Sequence, residues 1–245
     1  MKDITKLKKD NGGVSLAINS SFVNCTKEEA GYMDYKTLAL ITLESSPRDE
    51  LFNTTGKLEK PDFIEDNYRV LYVDDLYKNM KRIEQIYNSS SRTIKSHIKK
   101  LKSCKSEVVS IDEDVDGRQY YTICPYINRD GEYSYAGTYV TIERDILKSL
   151  IHTGNNNMIR TYIVLKWLLS DGKEHMVTRD WLVKQIGLQP YEKNLQVMTD
   201  ILKVLHKQKL ISRRKVIITT PTGAKTNYYY KLVSYEAWKE YDNIM

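Results

Sequence analysis

The chain has 245 residues, 41% hydrophobic and 29% charged, and its 38 Lys and Arg against 32 Asp and Glu leave a formal net charge of +6. The longest apolar run, Tyr162 to Leu169, is broken by Lys166 and falls far short of the roughly 20 residues of a membrane span, so a soluble chain without a transmembrane helix is expected. The polar stretch Met1 to Asp10 lacks the apolar core of a secretory signal, and three scattered cysteines, Cys25, Cys104 and Cys124, suit no disulfide framework, so the expected compartment is the cytoplasm.

In chain order, residues 1–13 are polar, end in Gly12 and Gly13, and read as a disordered arm. Leu38, Leu40, Ile41 and Leu43 suit a short helix over Asp34 to Glu44 with Asp34 as its cap. Residues 45–67 contain Pro47 and Pro61, show no period, and are expected to form a long loop. A helix from Asp74 or Asp75 carries Leu76, Met80, Ile83 and Ile86 on one face, and another carries Ile94, Ile98 and Leu101. Between them Asn88 can adopt the left-handed backbone that ends a helix, and Ser90 can cap the next one. Two strands, Glu107 to Ile111 and Gln119 to Cys124, then flank a turn with Gly117 at its tip.

The same order recurs. A strand-like Thr138 to Thr141 precedes a helix over Ile142 to Leu150, and a second helix covers Met158 to Leu169. Thr178 caps a third, stopped by Gly187, and Pro190 opens a long helix to about Lys207 with Leu195, Met198, Leu202 and Leu205 inward. Strands Leu210 to Thr220 and Asn227 to Val233 flank the turn Pro221 to Lys225, and Tyr235 to Ile244 closes the chain as an amphipathic helix. The expected domains are 14–125 and 126–245, the second including the C-terminal helix.

A net charge of +6 names no partner by itself, but its distribution is uneven. Residues 1–125 hold 20 basic and 20 acidic residues, so the remainder holds the whole excess. Two windows contain no acid: Asn88 to Lys105, with six cations, and Ile201 to Lys231, with eight. The acids Asp112, Glu113, Asp114 and Asp116 lie outside both.

The run Ile83-Glu84-Gln85-Ile86-Tyr87-Asn88-Ser89-Ser90-Ser91-Arg92-Thr93-Ile94, with Ile98 and Leu101, resembles the helix-turn-helix of winged-helix DNA-binding proteins, with Asn88 in place of the usual turn glycine. Trp181 to Leu188, followed by Leu195, Leu202, Leu205 and a basic hairpin, resembles it again after a longer connection, Gln189 to Asn194. The resemblance implies an α+β, mainly helical fold of two tandem winged-helix domains, each a three-helix unit with a β-hairpin wing. Two such units are similar to the replication initiators of bacterial plasmids and phages.

Such a helix-turn-helix lays its second helix in the major groove, while wings meet the backbone or minor groove. In the first unit this implies DNA contacts by Ser90, Ser91, Arg92, Thr93, Lys95, Ser96 and Lys99, with Arg92 reading guanine and Ser90 and Thr93 on phosphate or capping. In the second it implies Tyr191, Lys193, Asn194 and Gln196, the last two suited to adenine, and Arg213, Arg214, Lys215 and Lys225 on the wing. The acidic first wing would repel phosphate and is expected to face away from DNA or toward a protein.

No His-x-His pair, HExxH or paired CxxC occurs, and Thr222-Gly223-Ala224-Lys225-Thr226 lacks the spacing of a phosphate loop, so neither an enzyme, a metal nor a cofactor is expected. The leading expectation is a replication initiator that binds double-stranded DNA at repeated or extended origin sites as a homodimer and engages host replication proteins. The alternatives are a transcription regulator on an operator and a protein-interaction adaptor built from winged helices.

Overall fold

The computed structural model describes residues 18–19, 34–47, 68–102, 109–123, 139–221 and 223–242. The expected arm 1–13, most of the loop 45–67, the three cysteines and Thr222 lie outside these residues. The protein is mixed α/β, with nine helices and small antiparallel sheets among the described residues. No described helix is long and apolar enough to cross a membrane. The described residues divide into two compact units at Asn156/Asn157 rather than at the expected 125.

In the first unit, strand β1 (Ile18–Asn19) pairs with β6 (Tyr139–Val140). Helix α1 (Tyr35–Glu44) starts where Asp34 accepts a 3.0 Å bond from the Thr37 backbone N–H. From Tyr35 to Leu43 every residue except Lys36 is buried, so α1 is a core helix rather than a one-sided one. Strands β2 (Ser46–Pro47), β3 (Arg69–Tyr72), β4 (Val109–Glu113) and β5 (Gln119–Ile123) form an antiparallel sheet in the order β2-β3-β5-β4. Ser46 and Pro47 thus begin with strand pairing a segment whose composition suggests only loop.

The single helix expected from Asp74 is two: α2 (Val73–Lys78) and α3 (Met80–Tyr87). Asn79 divides them at φ −90°, ψ 10°, its backbone N–H and its Nδ2 both donating to the Asp75 carbonyl. A side chain that satisfies a backbone acceptor competes with continuing the helix. Asp74 and Asp75 occupy the first turn of α2, where the helix dipole favours acids. Helix α4 (Ser91–Lys102) buries Ile94, Ile98 and Leu101, as its spacing predicts. Helix α5 (Arg144–Thr153) buries Ile146, Leu147, Leu150 and Ile151 and packs on α1 and α3, which is why it groups with this unit.

In the second unit, α6 (Asn156–Leu168) buries Met158, Ile159 and the run Thr161 to Leu165. Helix α7 (Arg179–Gln185) is capped by Thr178 and stopped by Gly187 at φ +68°, a backbone that costs glycine little. Helix α8 (Glu192–Lys207) buries Met198, Ile201, Leu202 and Leu205, whereas Leu195 is half-buried. Pro190 precedes its cap, Tyr191, instead of occupying the first turn. Strands β7 (His175–Met176), β8 (Ile211–Thr220) and β9 (Gly223–Leu232) form a sheet in the order β7-β9-β8, and α9 (Tyr235–Asp242) follows with Trp238 buried. The hairpin pairing extends further than expected, to Thr220 with Gly223.

Candidate nucleic-acid interface

The first candidate surface is α4, and its placement starts with the backbone of Asn88. This residue adopts φ 53°, ψ 48° at the end of α3, and its short polar side chain makes that region accessible without glycine. The chain then reverses. Glu84 of α3 reaches across the turn, its Oε1 accepting from the Ser91 N–H at 2.6 Å. Ser90 Oγ accepts from the Thr93 N–H at 3.4 Å and lies 3.1 Å from Thr93 Oγ1. Ser90 and Thr93 therefore organise the helix start, while Ser91 is half-buried against Glu84.

With Ile94, Ile98 and Leu101 turned inward, Arg92, Lys95, Ser96 and Lys99 are exposed. Lys95 Nζ sits 4.9 Å from the ring centre of Tyr77 on α2, a cation–π contact that steadies the chain's reach without removing its charge. No hydrogen bond or ion pair within the described residues engages Arg92, Ser96 or Lys99. His97 faces the interior, 2.9 Å from the Tyr87 hydroxyl and 3.3 Å from Asp34 Oδ2. That polar cluster ties α4 to α3 and to the cap of α1, a link invisible in helical periodicity.

The acids of the β4–β5 hairpin of this unit are engaged by hydrogen bonds within the unit. Asp114 is buried at its turn: Oδ1 accepts from the Asp116 and Arg118 N–H groups and Oδ2 from the Tyr72 hydroxyl at 3.0 Å. Burial alone would raise its carboxyl, but these donors and the Arg118 charge together hold it below the ordinary carboxylate range. The same burial, with Asp114 as acceptor, pushes Tyr72 up to about 12. Asp112 accepts from Thr122 at 2.8 Å and Ser110 at 3.1 Å, and Gln119 donates to Glu113 at 3.1 Å.

The second candidate surface joins the start of α8 to the β8–β9 hairpin. Tyr191, 70% exposed, and Lys193 stand at the helix start. Asn194 is half-buried and its Nδ2 donates to the Gln189 carbonyl at 2.7 Å, so the amide expected to read adenine braces the long connection instead. Gln196 is exposed and donates to Asp200, 3.3 Å from each carboxylate oxygen. Asp200 is held below its ordinary range chiefly by Lys203 and then by Gln196, which keeps an acid on this helix face. On the hairpin, Arg213 lies 4.9 Å over Tyr228 and Arg214 5.0 Å over Tyr229. Arg214 also donates twice to Glu174, at 2.9 and 2.6 Å, and holds that carboxyl down. Lys215 is exposed, with no ion pair within the described residues, while the Lys225 side chain lies outside the description.

No family model and no curated protein matches the chain.

The two surfaces share an order: a left-handed residue, Asn88 or Gly187, then a helix with exposed cations, then an antiparallel hairpin, although α8 starts at Tyr191 without a side-chain cap. The sequence locates these helices, turns and hairpins. What it misses are partners distant along the chain: Glu174 for Arg214, Tyr72 for Asp114, and Asp34 for His97.

Proposed function

We propose that the chain is a sequence-specific, double-stranded DNA-binding protein whose two units are winged helices, and that it acts as a plasmid or phage replication initiator on repeated origin sites. The observation that carries this reading is the outer face of α4, where Arg92, Lys95, Ser96 and Lys99 are exposed together without an intervening acid. Guanidinium and ammonium groups at that spacing suit base edges and flanking phosphates in a major groove. The α7–Gly187–α8 arrangement repeats the plan, with Lys193 and Lys215 as its least engaged cations. The initiator role is carried by the tandem plan and by the resemblance of the residues around Asn88 and Gly187.

Duplex affinity measured between about 50 and 200 mM salt tests the DNA-binding step. Affinity should fall with a log–log slope of about −0.9 per phosphate contacted, and a slope near zero overturns the reading. The role in replication is tested by whether DNA carrying the gene and its iterated flanking repeats replicates as a plasmid only while the gene is intact. Repression of an adjacent promoter without such dependence would assign a regulator instead.

A further inference from the structure

We infer that the outer edge of β8 is a dimerisation surface, on which the β8 of a second copy of this chain pairs antiparallel about a two-fold axis at Ile217. The contact does not depend on the DNA-binding reading above. Strand β8 ends the sheet order β7-β9-β8, so among the described residues no strand pairs with its second edge. Two backbone bonds fix which groups that edge presents. The Val233 N–H donates to the Leu210 carbonyl at 3.2 Å, and the N–H of Val177, just after β7, donates at 3.3 Å to the carbonyl of Tyr228, which pairs with Lys215 in the β8–β9 ladder. In antiparallel sheets, successive residues bond alternately to the strand on either side. The even-numbered residues of β8 therefore bond to β9, while Arg213, Lys215, Ile217 and Thr219 direct both N–H and C=O outward. The Ile211 carbonyl, next on that side, already accepts from His206 Nδ1 at 3.1 Å.

Exposed strand edges are ordinarily shielded by a charge, a proline or a bulge. Strand β8 contains no proline, pairs one to one with β9 throughout, and carries no charge from Val216 to Thr220. In that stretch Ile217 is 61% and Ile218 41% exposed. An occupant of this edge needs branched apolar residues at the isoleucines and no cation opposite Arg213 or Lys215, and a second β8 meets both demands in one register. Centred on Ile217, that register sets Lys215 against Thr219, Val216 against Ile218 and Ile217 against its own copy. Bonded pairs then form at Lys215, Ile217 and Thr219, each exchanging two backbone hydrogen bonds. The two copies of Lys215 stand four residues apart along the strands, about 13 Å, beyond the Debye length of about 8 Å at physiological salt. Sliding by two residues one way brings these lysines into diagonal contact, and sliding the other way sets Lys215 against Pro221, which has no N–H. Charge and hydrogen bonding thus select the same arrangement, and a two-fold contact of this kind closes at two copies. Side chains stand off the faces of the joined sheet, so the edge contact leaves the Lys215 ammonium exposed.

The test measures the mass of the full chain by sedimentation across micromolar concentrations, with amide exchange followed on the same samples. The mass should rise from 28.6 kDa to twice that value, and exchange at Lys215, Ile217 and Thr219 should slow with concentration while Val216 and Ile218, bonded to β9, change little. Ile217→Pro removes an N–H that β9 does not use, so it should weaken dimerisation roughly tenfold or more and leave the circular dichroism of the monomer unchanged. If that variant does not fold, Ile217→Lys, which sets like charges opposite each other at the axis, should weaken the dimer in its place. Thr219→Glu puts an acid opposite Lys215 of the second copy and should tighten the dimer about fivefold through two cross-strand ion pairs. A monomer at every concentration, a dimer indifferent to the Ile217 variants or not tightened by Thr219→Glu, or a mass that grows beyond two copies overturns the proposal. A chain that stays monomeric but binds a peptide of alternating Glu and Val through the same amides would assign the edge to an acidic partner and overturn it as well.

Discussion

Asp114 shows how far a residue's role can depart from its charge. In sequence it belongs to an acidic cluster that repels phosphate, yet its carboxylate is turned inward onto Tyr72 and two backbone N–H groups. A carboxyl held below its ordinary range stabilises the folded state above about pH 4, and this contribution disappears as pH falls through the depressed value. Urea midpoints of the wild type and Asp114→Asn should therefore differ at pH 7 and converge below pH 4. Parallel curves over that interval would show that the turn does not depend on the ionised form. The presence of Asp114 in a turn was legible; its partner Tyr72, 42 residues earlier, was not, because sequence spacing carries no information on which strands adjoin.

At the scale of elements, local chemistry was the most legible. Asp34, Thr178, Asn88 and Gly187 act within three or four residues of themselves, and each terminates or caps the helix its position indicates. Asn79 was missed because the apolar spacing of Leu76, Met80 and Ile83 runs straight through it, while the competing bond to Asp75 depends on a polar side chain periodicity ignores. Asn88 offers a direct measurement. Its left-handed backbone should make Asn88→Ala cost about 1–2 kcal/mol in chemical denaturation and leave Asn88→Gly nearly neutral. Equal losses for the two would mean that the Asn88 side chain, not its backbone, holds the turn between α3 and α4.

For the whole molecule, the net charge of +6 becomes a set of differently engaged cations. Arg214 is committed to Glu174, whereas Arg92, Lys99, Lys193 and Lys215 are exposed with no ion pair within the described residues. Under the proposed function, exchanging Arg92 and Lys99 for Ala should lower the salt slope by about 0.9 for each lost phosphate contact, and Lys193 and Lys215 should do the same independently. Additive losses on one duplex are expected if both units bind it; a slope altered by only one pair would confine DNA contact to that unit. Composition alone concealed this difference because it counts a cation paired across 40 residues of chain the same as an unpaired one.

The strand order β2-β3-β5-β4 sets a sequence of events in assembly. Strands β8 and β9 are joined by two residues, but β3 meets β5 only after roughly fifty intervening residues, including α2, α3 and α4, have been gathered between them. The entropy of closing that larger loop places the second unit's hairpin early and the first unit's sheet late in folding. Helix α4 rests on α1 and α3 as well as on β4, so only its contact with β4 belongs to the part of the unit that the sheet brings together last.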